Sequence, residues 1–415
     1  MRVWFLVSRF PSLSETFVLS QMTGLIDRGC EVTVLVRGGG DGVAHADVGR
    51  YGLLERMHRY PDRRATADKG EANGKGAAYW RGVAASAPAF RSRARNPLLF
   101  GRRALSGRVL SEGLAWVEAA RAHGPPDVVV AHHGGNGENA VRLRRARAFD
   151  APVATFFHGS DANRAKPGKF GELFRRGDLL LPVIGFLEDK LLEIGAPRDR
   201  VRVHRMGIDP AVFAAPERGG PRETVELVSV GRLVEVKGFH HAIPAVAALG
   251  GGVRYRIVGA GPEEQRLRAL IDEVGAGERI ELVGGQPKER VVELLRESDA
   301  MVFPSCPVST GEKEGLPMAL CEGMAAGLAV VASRIGGVPG LIREGVDGLL
   351  VEPGSAGGLR QSLERVVGDA GLRRSLGGSA LERVKQEHDV NVLNDRFVEL
   401  LRGLVAEYQG GRRRG

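Results

Sequence analysis

Cysteine is scarce: three in 415 residues, at Cys30, Cys306 and Cys321. An odd number without paired spacing excludes a disulfide framework and a zinc-finger type of site, and points to a reducing compartment. Long apolar runs are also missing. No stretch approaches the roughly 18 residues that a bilayer-spanning helix needs. The apolar start, Met1 to Val7, is too short for a signal-peptide core, and no small-residue cleavage site follows it. These absences predict a cytoplasmic chain that at most rests on a membrane surface. The first strand–helix turn, Arg9 to Glu15, lacks GxGxxG, so it offers no glycine-rich grip on a dinucleotide. Negative charge is in deficit. The net charge of +9 invites phosphorylated ligands, an anionic membrane surface or nucleic acid.

Glycine, in contrast, is abundant. Its 59 copies stand mostly between short apolar runs, as in α/β chains with tight strand–helix turns. The length predicts two domains. Strands are expected at Val3–Ser8, Glu31–Arg37, Pro126–Ala131, Val153–Phe157 and Leu179–Pro182. A second series follows at Glu226–Val230, Tyr255–Val258, Ile280–Gly284, Ala300–Phe303, Leu328–Ala332 and Gly348–Val351. The Pro- and Gly-bearing run Pro210–Pro221 reads as a linker between the series. Residues 38–107 break the pattern, with arginines and lysines interleaved with aromatics. This segment reads either as a membrane-surface element or as a solvated helical hairpin with snorkelling arginines. No RNA-binding signature accompanies it. The last helix is expected from Asn391 to about Tyr408, with a disordered Gly/Arg tail.

Candidate chemistry sits at strand ends, where open α/β sheets bind ligands. His132 and His133 follow one strand, and His158 with Asp161 follows the next. Three histidines suggest a metal, but no carboxylate stands at ligand spacing, so none is expected. After Val230 come Arg232 and Lys237, a planar fork and a point charge suited to a diphosphate. Gly259 opens a GxGP turn, with two acids in the following helical turn. Val283 ends the next strand. The stretch Phe303–Gly337 holds Glu314 and Glu322, which a helical rise would separate by roughly 12 Å. That span reaches two ends of one extended ligand and is too wide for a retaining-glycosidase pair.

The segment EGLPMALCE, Glu314 to Glu322, resembles the signature of glycosyltransferase family 4. So do GRL-x-x-x-KG at Gly231–Gly238, TFFHGSD around His158 and MGID at Met206–Asp209. FPSLSETFVLSQ resembles the first loop of the exopolysaccharide (colanic-acid) branch. The resemblance implies a GT-B fold: two Rossmann-like domains facing each other across a cleft. Residues 1–208 would form the acceptor-side domain, with helix 391–409 packing back on it, and residues 209–390 the nucleotide-sugar domain. It implies a retaining glycosyltransferase using a nucleotide-diphosphate sugar, with a UDP-sugar favoured, and no metal or other cofactor. Glu322 would hold ribose hydroxyls. Glu314, with the N–H groups of Gly315 and Leu316, would hold the transferred sugar. Arg232 and Lys237 would hold the diphosphate, and His158 would lie beside the sugar. Gly259 and Val283 would frame the nucleotide. The acceptor is expected to be a saccharide, lipid-linked at the inner membrane face. Alternatives are a soluble natural-product acceptor or a nucleotide-sugar epimerase on the same fold. Nucleic acid is not an expected partner.

Overall fold

The structure, a computed structural model, describes residues 1–12, 16–39, 45–59, 116–163, 165–215, 223–309 and 317–413. Two six-stranded sheets organise it. The first holds β1 (Arg2–Phe10), β2 (Glu31–Gly39), β3 (Met57–Arg59), β4 (Val128–His132), β5 (Val153–Phe157) and β6 (Leu179–Pro182), in the order β3-β2-β1-β4-β5-β6. The second holds β7 (Val225–Val230), β8 (Val253–Val258), β9 (Ile280–Gly284), β10 (Ala300–Phe303), β11 (Ala329–Ser333) and β12 (Leu349–Val351), in the order β12-β11-β10-β7-β8-β9. Every neighbouring pair runs parallel. Both sheets share the doubly wound order, with chain direction reversing between first and fourth strands. Ligand crevices are therefore expected at the carboxyl ends of β1 and β4, and of β7 and β10.

The strands are legible because parallel strands are covered on both faces. VATFF in β5, AMVF in β10 and AVVAS in β11 are buried throughout. In the second sheet, alternate residues serve different cores. Met301 and Val330 join the core shared with the helix Met318–Ala325, whereas Val302 and Val331 join the core under the helix Phe239–Ala247.

One local reading needs correction. The linker expected at Pro210 begins with a helical turn, Pro210–Phe213. Asp209 caps it by accepting the Ala211 N–H, and Pro210 needs no donor at the first position. Gly134–Arg145 is a helix from its first residue, although its GGNG start reads as loop. Packing explains the glycines. A Cβ at Gly134 would meet Phe157 at 2.5 Å, and one at Gly137 would meet the Thr155 hydroxyl at 2.4 Å.

The last helix, Val390–Arg413, is longer than expected and takes in the first residues of the Gly/Arg tail. It lies against the helix Thr16–Asp27. Asn394 Nδ2 donates to the Ser20 carbonyl at 3.2 Å, directly over Gly24. Arg28 donates to Asp395 at 2.6 Å and to the Asn391 carbonyl at 2.8 Å. The two segments that pass between the sheets are laced together. The Ile208 N–H donates to the His388 carbonyl and the Val390 N–H to the Ile208 carbonyl, both at 2.9 Å. Beyond β6, Ile184 lies so near Gly340, beyond β11, that a Cβ there would fall 3.1 Å from it. No helix among the described residues is long and apolar enough to cross a membrane.

Candidate active site

The second sheet builds the more defined half of the site, at the β7/β10 reversal. Residues 231–238 form the loop after β7, and it is held by backbone contacts. The Gly231 N–H donates to the Val258 carbonyl at 3.0 Å, and the Leu233 N–H donates to the Ala260 carbonyl at 3.0 Å. Cys306 N–H reaches back from beyond β10 to the Val236 carbonyl at 2.9 Å. Three glycines permit the approach. A Cβ at Gly259 would fall 1.9 Å from the Gly231 oxygen, and one at Gly261 would fall 2.4 Å from the Leu233 oxygen. Gly238, at φ 65°, would bring a Cβ to 2.0 Å from the Pro304 oxygen. The loop that carries Arg232 and Lys237 is thus fixed by main chain on two sides.

On this frame Arg232 is exposed and Lys237 partly buried. The Lys237 ammonium stands over the Phe303 ring, 5.1 Å from its centroid, while its methylenes run along Gly231. That contact fixes the direction of the charge. The structure brings Gly259 to the same loop, as a close-approach residue whose N–H donates to the Gly284 carbonyl at 2.9 Å. Val283, the penultimate residue of β9, lies nearby, and its carbonyl accepts from the Gln286 side chain at 3.0 Å.

Glu322 lies in the helix Met318–Ala325, among the buried Leu320, Cys321, Gly323 and Met324. It is partly buried, not on a solvated face. Burial pushes its carboxyl up to about 7, against the opposing pull of Lys288. A carboxylate so placed is costly without a partner, which is the usual mark of a site awaiting one. Glu314, Gly315 and Leu316 lie outside the described residues, as does most of the basic segment 38–107, although its residues Met57–Arg59 form β3.

The first sheet contributes a histidine cluster at its own reversal point. His158 follows β5, and its Nε2 lies 3.1 Å from Nδ1 of His132, the last residue of β4. His132 is almost wholly buried between Phe5 and Phe156, with stacked rings 5.8 and 5.0 Å away. Phe17 covers His158 at 4.9 Å. Burial first, and His133 second, holds the His132 imidazole down at about 3. The same two causes, with His132 added, hold His158 well below its ordinary value. Both rings are therefore neutral near pH 7, and one hydrogen is shared between them. The other nitrogen of His132, Nε2, is buried with no hydrogen-bond partner. An orphaned acceptor is cheaper than an orphaned N–H. The favoured tautomer thus has His132 Nδ1–H donating to His158 Nε2, which leaves the His158 Nδ1–H to another partner.

Asp161 supports this corner. Its carboxylate accepts the Gly134 N–H at 2.7 Å and stands 3.7 Å from His133. His133 itself is held at φ 71°, a conformation costing on the order of 1 kcal/mol or more and found chiefly at functional corners. Sequence reasoning noted His132 only as a metal candidate. Its role as the partner of His158 depends on the strand register, which a linear motif does not reveal.

Residues 14–212 match the family described as Glycosyltransferase Family 4, and residues 215–383 match Glycosyl transferases group 1. The chain is 33% identical to WcaL of Escherichia coli, a glycosyltransferase assigned to colanic acid biosynthesis, over 97% of this chain and 100% of that protein. It is also 33% identical to the amylovoran biosynthesis glycosyltransferase AmsK of Erwinia amylovora, over 88% of this chain and 90% of that protein. Among solved structures, Anabaena HepE in complex with UDP superposes with a TM-score of 0.73, covering 97% of this chain and 100% of that one at 17% identity. The chain belongs to glycosyltransferase family 4, and is a glycosyltransferase built on the GT-B fold.

Proposed function

We propose that the enzyme transfers a hexose-type sugar from a nucleotide-diphosphate sugar, with UDP-sugar favoured, to a saccharide acceptor in cell-surface polysaccharide synthesis. The observation that carries this reading is the pinned loop after β7. It presents Arg232 and Lys237 from fixed backbone at a sheet reversal, close in the fold to the helix of Glu322. Donors fixed before the ligand arrives stabilise charge that develops on a departing diphosphate without reorganisation. Glu322 takes the ribose hydroxyls, which supply the hydrogen bonds its buried carboxyl lacks. Glu314, Gly315 and Leu316 take the transferred sugar. Gly259 and Val283 frame the nucleotide, and the His158 Nδ1–H donates to the sugar or to the leaving phosphate. Residues 1–208, with the last helix, form the acceptor side, and residues 209–390 the donor side.

The reaction retains anomeric configuration and requires no metal or other cofactor. The bond broken joins the anomeric carbon to the donor phosphate oxygen. The bond formed joins that carbon to the acceptor oxygen, whose proton passes to the departing diphosphate. The polysaccharide setting is supported by WcaL and AmsK, and the donor class by the UDP complex of HepE. The acceptor is lipid-linked, and the enzyme works in the cytoplasm at the inner face of the membrane, helped by its net charge of +9. Incubation with UDP-sugars and a lipid-linked oligosaccharide, read by proton NMR at the anomeric signal, tests the reading. Transfer with retained configuration is expected. An inverted product, or donor turnover that needs no acceptor, as in an epimerase, contradicts it.

A further inference from the structure

A second cluster adjoins the loop after β7. His240 and His241 are in the first turn of the helix Phe239–Ala247, and Cys306 stands just beyond β10. One imidazole nitrogen from each histidine and the Cys306 sulfur all lie within 4.8 Å of one another. The two rings sit 4.0 Å apart, centroid to centroid. Cys306 is buried, and both histidines are partly buried.

The backbone beneath this cluster is fixed. Gly238, immediately before the helix, packs on the Pro304 carbonyl, and Cys306 N–H donates to the Val236 carbonyl. The Cys306 thiol points at the Glu235 carbonyl, 3.4 Å away. Ligands around a tetrahedral zinc-class ion lie roughly 3.3–3.6 Å apart, given metal–nitrogen and metal–sulfur distances of about 2.0–2.3 Å. The set contains two imidazoles and one thiol, with no oxygen ligand, which disfavours magnesium and calcium and suits a borderline-soft divalent ion. The charge around it is mixed. Arg266 acts on both histidines and outweighs either Glu235 or Glu263 at His240, although its own charge is paired with Glu263 at 2.8 Å.

We propose that His240, His241 and Cys306 form a binding site for a zinc-class divalent ion, with the thiol giving up its proton to solvent as the metal–sulfur bond forms. Three protein ligands leave one tetrahedral position for water. The sequence hides this site because Cys306 is far along the chain from the histidine pair, so no ligand spacing exists to be read. It stands beside the expectation that transfer needs no metal, since a bound ion here would cross-link the loop after β7 to the turn after β10. The proposal does not depend on the identity of the donor sugar.

Cobalt(II), a spectroscopic stand-in for zinc, tests it directly. The full-length chain is dialysed against chelator and titrated with cobalt(II), with circular dichroism as a check of folding. A near-ultraviolet thiolate-to-cobalt charge-transfer band saturating at a single equivalent, and bleached by added zinc, is expected. Cys306→Ser should abolish the band, and His240→Gln/His241→Gln should abolish or strongly weaken it. His241→Gln alone, at a partly buried position, serves as the second variant if Cys306→Ser fails to fold. Absence of the band in the wild-type chain overturns the proposal. So does a band that survives Cys306→Ser, or one unchanged in the histidine variants.

Discussion

Glu322 shows how far a single residue can be interpreted physically. Its helix is apolar on most sides, and the carboxyl pays a desolvation penalty that raises it to about 7 from an ordinary 4.5. The folded chain therefore keeps this proton to higher pH than the unfolded chain does. Stability from the group is fully present below the unfolded value and is lost as pH rises through about 7. Glu322→Gln should thus raise the unliganded melting temperature at about pH 8.5, with the difference vanishing only below the ordinary value of 4.5, at about pH 3.5. Thermal melts of both chains at the two pH values check this. Equal melting temperatures at the higher pH would mean that the carboxylate already has a partner. The residue is legible in sequence because a lone acid in an apolar helix is conspicuous. The His132–His158 pair is not, because only the neighbouring positions of β4 and β5 bring the two rings together.

At the scale of elements, the strand-end loops do the positioning, and their glycines are steric requirements. Gly259 has φ 154° and no room for a methyl beside the Gly231 oxygen. Gly259→Ala should cost at least about 1–3 kcal/mol and displace the loop that carries Arg232. Gly251→Ala, which meets nothing within 4 Å, should leave stability and nucleotide affinity nearly unchanged. Chemical denaturation and calorimetric titration with UDP compare the two variants. The strands and most helices are legible because their apolar runs end at glycines with positive φ, such as Gly29, Gly195 and Gly327. The helix starting at Gly134 is not, because its glycines serve close packing against Phe157 and Thr155 and their low helix propensity misleads. The turn at Pro210 carried a legible signal, a capping Asp followed by Pro, that its linker-like composition obscured.

At the scale of the whole molecule, the final helix returns to the first sheet and closes the chain on itself. Phe397 is fully buried and meets Phe156 edge-on at 5.3 Å, in the strand that leads into His158. Phe397→Ala should lower stability by about 3–5 kcal/mol. Limited proteolysis should then release the last helix before the second sheet is cut. Simultaneous loss of both halves would mean that the helix is not the weakest tie. The two-sheet plan was legible from two series of apolar runs, and the family from motifs that cover most of the chain. The lacing of Ile208 to His388 and Val390 was not, since it joins segments far apart in sequence through backbone groups alone. The central claim is that the β7/β10 reversal of the second sheet binds the diphosphate and ribose of a nucleotide sugar. Calorimetric titration of UDP and UDP-sugars into the wild-type chain, Arg232→Ala and Glu322→Ala tests it most directly. The account predicts saturable binding that weakens by more than about tenfold in each variant, since each loses a charge-assisted contact. Binding undiminished in both variants, or no binding of any nucleotide sugar to the wild-type chain, would contradict it.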